Sequence, residues 1–143
     1  MLESSLINMQ TTQTGGCMCG AARYAFTGEP EIVLNCHCND CQKASGGQFA
    51  TIIALKAEHF TSTGKLTFYD WRGSSGTLLR RGFCPICGTT VYGYPPNPDV
   101  RNIWAGTLDD GDWVVPTLDH WLKSRKPWSV PLDTTEKCLD AFE

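Results

Sequence analysis

The sequence lacks both a membrane-spanning segment and a secretory signal. None of its apolar runs approaches the roughly 18 residues that read as a transmembrane helix. Its N-terminus has no basic region followed by an apolar stretch, which is the form of a signal peptide. We therefore predict a cytoplasmic protein without a membrane partner, in a compartment that keeps thiols reduced.

The chain also lacks an excess of positive charge. Its 12 Lys and Arg residues are outnumbered by 15 Asp and Glu residues, which gives a formal net charge of −3. Proteins that bind nucleic acids are usually basic, so we predict no nucleic-acid partner. Two short basic clusters occur, at residues 80–81 and 123–126. We interpret them as solvated charges or as neutralisation of nearby thiolates, with capture of a small anionic substrate as the alternative.

An amphipathic helix of normal length is missing as well. Short strand-like segments separated by turn residues predict an all-β fold with very little helix. Residues 40–45 are the one helical segment, with Asn39 or Asp40 as the N-cap and Gly46 as the stop. The segments expected to form strands are residues 21–27, 32–34, 48–55, 66–71, 77–83, 89–94 and 103–107.

No internal repeat or linker divides the chain. Its 143 residues are typical of one domain. We expect residues 1–14 to be a flexible leader and residues 15–143 to form a single domain. The proline-rich tail is expected to lie extended over the sheets, anchored by Trp113, Trp121 and Trp128.

Cysteine, by contrast, is abundant, and its spacing indicates metal ligands. Seven of the eight cysteines fall into three short clusters: Cys17 and Cys19; Cys36, Cys38 and Cys41; Cys84 and Cys87. Thiolates are preferred zinc ligands, and a closed tetrahedral site takes four of them at about 2.3 Å. Because Cys-x-Cys pairs are awkward to oxidise, a disulfide framework is disfavoured. We predict two Zn²⁺ ions per chain.

The two cysteine pairs together supply four ligands. Cys84 and Cys87 flank a proline and precede Gly88, which can adopt positive φ and allow backbone N–H groups to point at sulfur. Cys17 and Cys19 alternate, so on an extended segment both sulfurs face the same side. We predict that these four cysteines close a structural zinc site.

The remaining triplet, Cys36, Cys38 and Cys41, supplies only three ligands. Catalytic zinc sites keep one coordination position open in this way, so we predict an open zinc site with these residues as its catalytic centre. The alternatives are a redox-active or metal-free triplet and a second structural site with a fourth protein ligand. The candidates for that ligand are His37, Asp40, His59, His120 and Cys138. His37 is the weakest, because it points away from its neighbours on an extended segment.

Four motifs resemble the glutathione-dependent formaldehyde-activating enzyme family. They are Gly-Cys-Met-Cys-Gly at 16–20, Cys-His-Cys-Asn-Asp-Cys-Gln-Lys-Ala-Ser-Gly at 36–46, Phe-Cys-Pro-Ile-Cys-Gly at 83–88 and His-Trp at 120–121. The resemblance covers residues 15–128, with a departure at residues 47–49, where the family often has Ser/Ala-Pro-Phe. It implies zinc-bearing coiled β-sheets of the β-tent type. It also implies a closed zinc at the two cysteine pairs and an open zinc at the triplet.

The resemblance further implies a zinc-dependent carbon–sulfur lyase that acts on thiol adducts. The founding activity joins glutathione to formaldehyde as S-hydroxymethylglutathione, so a small thiol is the expected partner. A lyase for another thiol adduct shares the same site. The alternative from another class is a zinc-stabilised binding module, as in relatives like centromere protein V. No general base is identifiable, although His37 and His59 are candidates, and isolated Cys138 is expected to be inert.

Overall fold

The computed structural model describes residues 11–73 and 76–140. In these ranges the chain forms eleven strands, one α-helix and three single 3₁₀ turns. The strands are β1 (Gln13–Gly16), β2 (Arg23–Phe26), β3 (Ile32–Cys36), β4 (Ala50–Lys56), β5 (Phe60–Thr63), β6 (Thr67–Arg72), β7 (Leu78–Phe83), β8 (Thr90–Tyr94), β9 (Val100–Trp104), β10 (Leu118–His120) and β11 (Glu136–Lys137). The helix, α1, spans Asn39–Ser45. The all-β prediction is confirmed, and no helix among the described residues is long and apolar enough to cross a membrane.

Two sheets make up the fold. The larger has eight strands in the order β11-β10-β3-β4-β9-β8-β7-β6, and the smaller has three in the order β1-β2-β5. Most neighbours are antiparallel, but β10 runs parallel to both β3 and β11. This parallel pairing places His120 opposite Cys36, so the C-terminal part of the chain borders the cysteine triplet.

Two apolar cores lie on opposite faces of β3 and β4, because successive side chains of a strand point to opposite sides. Val33 and Ile53 belong to the first core, while Leu34 and Ile52 belong to the second. The first core also contains Tyr24, Phe26, Leu55, Val91, Tyr92 and Ile103. Cys17 and Cys84 are buried in the first core and Cys36 in the second, so each core supports one cysteine cluster.

Every segment expected to be a strand overlaps one, although the last overlaps only at its first two residues. Residues 103–107 hold only the end of β9, and the chain then turns through the 3₁₀ segment Ala105–Thr107. Strands β1, β5, β10 and β11 were not expected from the sequence. The first ten residues of the expected leader lie outside the described residues, and β1 begins at Gln13, within the leader's expected range.

The tail contributes strands to the sheet, where only an extended covering segment was expected. Trp113 packs edge-on against Phe26 with the ring centroids 6.5 Å apart, so it is an anchor as expected. Trp121 packs against the second core. The expectation for Trp128 is wrong, since 62% of its surface is exposed. Backbone pairing through β10 and β11 holds this part of the tail.

Candidate metal centres

The two cysteine pairs meet at the edge of the first core. The four sulfur atoms of Cys17, Cys19, Cys84 and Cys87 all lie within 4.8 Å of one another. The Sγ atoms of Cys17 and Cys19 are 3.6 Å apart, and those of Cys19 and Cys84 are 3.7 Å apart. A tetrahedron with Zn–S bonds of about 2.3 Å has sulfur–sulfur edges of about 3.8 Å. The cluster therefore fits a closed tetrahedral metal site.

Both pairs are carried by tight turns of the same form. The backbone N–H of Cys17 donates to the carbonyl of Ala22 at 3.0 Å, and that of Cys84 donates to the carbonyl of Thr89 at 2.9 Å. Gly88 has φ of +78°, as its position predicted. The expectation of an extended segment at residues 17–19 is wrong, because a hydrogen bond of 3.1 Å from the N–H of Gly20 to Cys17 closes a turn there.

Hydrogen bonds in these turns favour thiolates. The hydroxyl of Thr89 lies 3.2 Å from the sulfur of Cys87, and this contact is the main reason that the pKa of Cys87 falls to about 5. Burial raises the pKa of Cys17, but the N–H of Ala22, 3.3 Å from its sulfur, and neighbouring thiols outweigh that effect and lower it. The backbone N–H of Ala21 lowers the pKa of Cys19, but burial and the neighbouring thiols outweigh it and raise the pKa to about 11. A cation among the four sulfurs would favour the thiolate form there as well.

The second cluster forms where β3 passes into α1. Cys36 is the last residue of β3 and Cys41 lies in the first turn of α1. Cys38 is the N-cap, because its sulfur accepts a hydrogen bond from the N–H of Cys41 at 3.3 Å. The prediction of Asn39 or Asp40 as the N-cap is therefore wrong by one or two residues. Gly46 ends the helix in the left-handed region, with φ of +73°, as expected.

These three sulfurs also lie within 4.8 Å of one another. Hydrogen bonds from the thiols of Cys36 and then Cys41 lower the pKa of Cys38 to about 3. The same contact with Cys38 is the largest cause of the rise in the pKa of Cys36 to about 12. The first sulfur to lose its proton thus makes the others harder to ionise. A divalent cation at their centre would reverse this effect, so the donor set fits a metal ion.

No fourth ligand from the described residues joins this triplet. No other His, Cys, Asp or Glu atom in residues 11–73 and 76–140 lies within 4.8 Å of all three sulfurs. His37 is buried and directed to another partner, as described below, and the thiol of Cys138 donates to the carbonyl of Asp140 at 3.0 Å. His59 faces Glu58 on the surface at 3.6 Å. Asp40 and His120 lie nearby, on the wall of the adjoining cavity.

A cavity of about 590 Å³ opens over the triplet. Cys36, Cys38 and Cys41 all contribute to its lining, whereas the four cysteines of the other cluster do not. Its walls come from β3, α1, the hairpins β6–β7 and β8–β9, and the start of the tail. A small molecule in this cavity can therefore reach the three sulfurs.

The family of the chain follows from a match over most of its length. Residues 12–124 match the family described as "Glutathione-dependent formaldehyde-activating enzyme". The chain belongs to this family. The resemblance seen in the cysteine motifs is thereby confirmed. The fold is also similar to a crystal structure of a Rhodobacter sphaeroides protein, with a TM-score of 0.53 and 20% sequence identity, covering 67% of this chain and 87% of that one.

A buried polar network holds the triplet loop of this family member in place. His37 lies between two of the cysteines, is fully buried, and contacts the Asp119 carboxylate through Nε2 at 2.7 Å. The hydroxyl of Thr135 and the ammonium of Lys137 donate to the other oxygen of Asp119. The amide of Gln42 donates to the His37 carbonyl at 2.7 Å. These contacts fix the backbone that carries the three sulfurs.

Sequence reasoning missed Asp119, although it noticed the adjoining His-Trp pair. Asp119 is 82 residues from His37, and only the parallel pairing of β10 with β3 brings them together. An isolated aspartate in a polar tail gives no signal of such a role. The two histidines proposed as bases are placed elsewhere: neither His37 nor His59 lines the described part of the cavity.

Replacing Asp119 by asparagine should loosen the triplet loop. Hydrogen bonds to a charged group contribute about 1.5–3 kcal/mol each, so we expect a loss of about 2–3 kcal/mol in the free energy of unfolding. Burial raises the pKa of Asp119, but the bonds from Thr135, His37 and Lys137 outweigh it and lower the pKa. Its stabilisation is therefore present above the usual Asp pKa and is lost as the pH falls through the lowered value. Urea unfolding at pH 7, where metal stays bound to thiolates, measures the loss of stability. Its size should be unchanged at about pH 5, which is still above the usual Asp pKa.

The matched control is Asp109→Asn, which removes the same charge from an exposed ion pair with Arg23. Exposed pairs contribute little, so this variant should stay close to the parent protein. Equal effects of the two substitutions at pH 7 would contradict the role assigned to the Asp119 network.

Proposed function

We propose that the protein is a metal-dependent carbon–sulfur lyase that reversibly joins a small thiol to a small carbonyl compound. The reaction named by its family, between glutathione and formaldehyde, is the parent example. One observation carries the proposal: three clustered sulfurs, without a fourth ligand from the described residues, lie on the lining of a cavity large enough for a substrate.

The two clusters have different roles in this proposal. Cys17, Cys19, Cys84 and Cys87 would hold a structural Zn²⁺ that ties distant parts of the chain together. The triplet would hold a second Zn²⁺ at the cavity. That ion supplies positive charge, which lowers the pKa of a thiol entering the site. A reducing compartment such as the cytosol, which the sequence predicts, would keep all these sulfurs available.

The chain's own groups receive and orient the reactants. In the forward direction the sulfur of the thiol attacks the carbonyl carbon, a C–S bond forms, and the C=O π electrons move to oxygen. The proton released by the thiol ends on that oxygen, giving a hemithioacetal, and reversal expels the carbonyl compound. His120 is the one imidazole on the described lining, and we propose that it relays this proton. Burial lowers the pKa of His120, which suits a proton acceptor at neutral pH.

A cobalt-substituted protein should report thiol binding at the triplet. Adding glutathione should intensify the sulfur-to-metal charge-transfer absorption, because a fourth sulfur joins three. The effect should strengthen as the pH rises towards the thiol pKa of about 8.5, since the proton must leave before sulfur binds. Exchange of formaldehyde between its free and glutathione-bound forms, followed by NMR, should accelerate in the zinc protein.

The control ligand is S-methylglutathione, which has nearly the same size and charge but no free thiol. It should leave the cobalt spectrum unchanged. If free thiols also leave it unchanged while two metals are bound per chain, the triplet site is closed. The protein would then be a zinc-stabilised binding module, and the lyase proposal would be wrong.

A further inference from the structure

The wall of the cavity over the triplet is mainly apolar. Four aromatic side chains contribute to it: Trp71, Tyr94, Trp104 and Trp121. Ile52 and Leu34 of the second core lie on the lining beside the sulfurs, and Leu79 and the consecutive prolines at 95–96 lie on the hairpins opposite. Aromatic and aliphatic surfaces of this kind gain binding energy mostly by removing apolar area of the ligand from water.

The charged groups on the described lining already have partners. The carboxylate of Asp40 accepts a hydrogen bond from the indole N–H of Trp71 at 3.1 Å. The guanidinium of Arg80 binds both oxygens of Asp70, at 2.7 and 3.1 Å, and stacks over Phe68. Hydrogen bonds from Arg80 are the main reason that the pKa of Asp70 is lowered. The carboxylate of Asp70 and the guanidinium of Arg80 therefore both stay charged. Besides His120, Arg80 is the only basic residue among the described residues of the lining.

Glutathione is poorly matched to this surface. It carries two carboxylates and one ammonium group, and a buried charge needs a partner to offset its desolvation. The only arginine on the described lining is half exposed and its charge is offset by that of Asp70, while Asp40 adds negative charge next to the sulfurs. Three thiolates on a divalent cation also leave a net negative charge. An anionic thiol would therefore meet repulsion at the sulfurs and no excess of positive charge among the described wall residues.

We propose that the preferred thiol of this protein has an uncharged, apolar body, aromatic or branched aliphatic, in place of the charged body of glutathione. This inference rests on the proposed function, since it names the substrate class of the same site. The reaction itself is unchanged: thiol and carbonyl compound combine to a hemithioacetal without an oxidant or reductant. The thiol sulfur lies at the triplet and its apolar body against the tryptophans.

Binding of three thiols to the zinc-loaded protein tests the inference. Phenylmethanethiol, 4-(mercaptomethyl)benzoate and glutathione are titrated by calorimetry, with tryptophan fluorescence as a second readout and metal content checked afterwards. The first two thiols differ only by a carboxylate, so their comparison isolates the effect of charge. We expect phenylmethanethiol to bind about 10- to 100-fold more tightly than glutathione, which is the factor that burial of one phenyl ring supplies. The carboxylated ring should bind at least several-fold less tightly than phenylmethanethiol.

Failure of the inference and failure of the proposed function look different. If glutathione or the carboxylated thiol binds as tightly as phenylmethanethiol, the apolar preference is overturned while the thiol site stands. If none of the three thiols binds the metal-loaded protein, the proposed function falls and the inference falls with it.

A single substitution in the wall should change the preference. Leu79 lines the cavity on β7, opposite Trp71, and Leu79→Lys places a free cation there. Glutathione should bind several-fold more tightly to this variant and phenylmethanethiol several-fold less tightly. Leu78→Lys is the matched control, because Leu78 is the next residue, is 55% exposed and is absent from this lining. Equal effects of the two lysines would overturn the assignment of this wall to the thiol's body.

Discussion

Replacing Cys84 by serine should unfold the protein. Cys84 is completely buried in the first core, and its sulfur lies 3.7 Å from that of Cys19, 65 residues away. A metal at this cluster therefore joins the start of the fold to its middle. Structural zinc contributes about 10–16 kcal/mol in small zinc peptides, which is as large as the total stability of a typical domain. We expect the variant to lose its cooperative thermal transition in circular dichroism and to accumulate in the insoluble fraction.

Two controls separate the loss of a ligand from the loss of a thiol. Cys138→Ser makes the same change at a cysteine outside both clusters and should leave the melting curve nearly unchanged. Removal of metal from the parent protein by a strong chelator should reproduce the unfolding of Cys84→Ser. A soluble Cys84→Ser protein that melts cooperatively would show that this cluster is not essential to the fold.

The two cysteine clusters could be predicted from sequence because each is built from local turns with a chemical signature. Cys84 and Cys87 are separated by two residues in a turn that ends at Gly88, and the lack of a side chain permits the positive φ of that glycine. The helix after the triplet and its stop at Gly46 are equally local. The all-β class follows from short strand-like segments between turn residues.

The contact between His37 and Asp119 and the position of His120 could not be predicted, because both depend on strand pairing between distant parts of the chain. Strand β10 has only three residues, and nothing in Leu118–His120 indicates that it enters the large sheet beside β3. That single pairing creates both the contact between His37 and Asp119 and the position of His120 on the cavity. The turn at residues 17–20 was also misjudged, since alternation of two cysteines is compatible with a strand and with a turn.

The cavity is the least predictable part of the site. Trp71 and Leu79 are cross-strand neighbours in the β6–β7 hairpin, while Tyr94 and Trp104 come from the ends of β8 and β9. Their common wall exists only because these hairpins pack over the triplet. Arg80 illustrates the same point. The basic cluster at residues 80–81 suggested capture of an anionic substrate as an alternative, but in the folded protein the guanidinium of Arg80 pairs with Asp70.

Unlike Cys84→Ser, the Cys41→Ser variant should stay folded and should lose only the metal ion of the triplet. The three cysteines of the triplet lie within a short loop, so a metal there restricts little of the unfolded chain, and closing longer loops gives more stabilisation. The loop is also held by the hydrogen bonds of His37 and by the second core, which do not need the sulfur of Cys41. Metal content should fall from about two ions per chain to about one. The far-ultraviolet circular dichroism spectrum should be nearly unchanged, and thiol binding by calorimetry should disappear.

The expected loss of one metal ion per chain follows from coordination chemistry. Two remaining thiolates cannot compete with solvent and small chelators for a divalent cation as three can, whereas the first cluster keeps all four of its sulfurs. Ser45→Ala, in the same helix but outside both clusters, is the control and should retain two metals and thiol binding. Joint loss of both metals and of folding in Cys41→Ser would mean that the triplet is a second structural site. Retention of two metals with undiminished thiol binding would mean that Cys41 is not a ligand, and the open site would have to be built from other atoms.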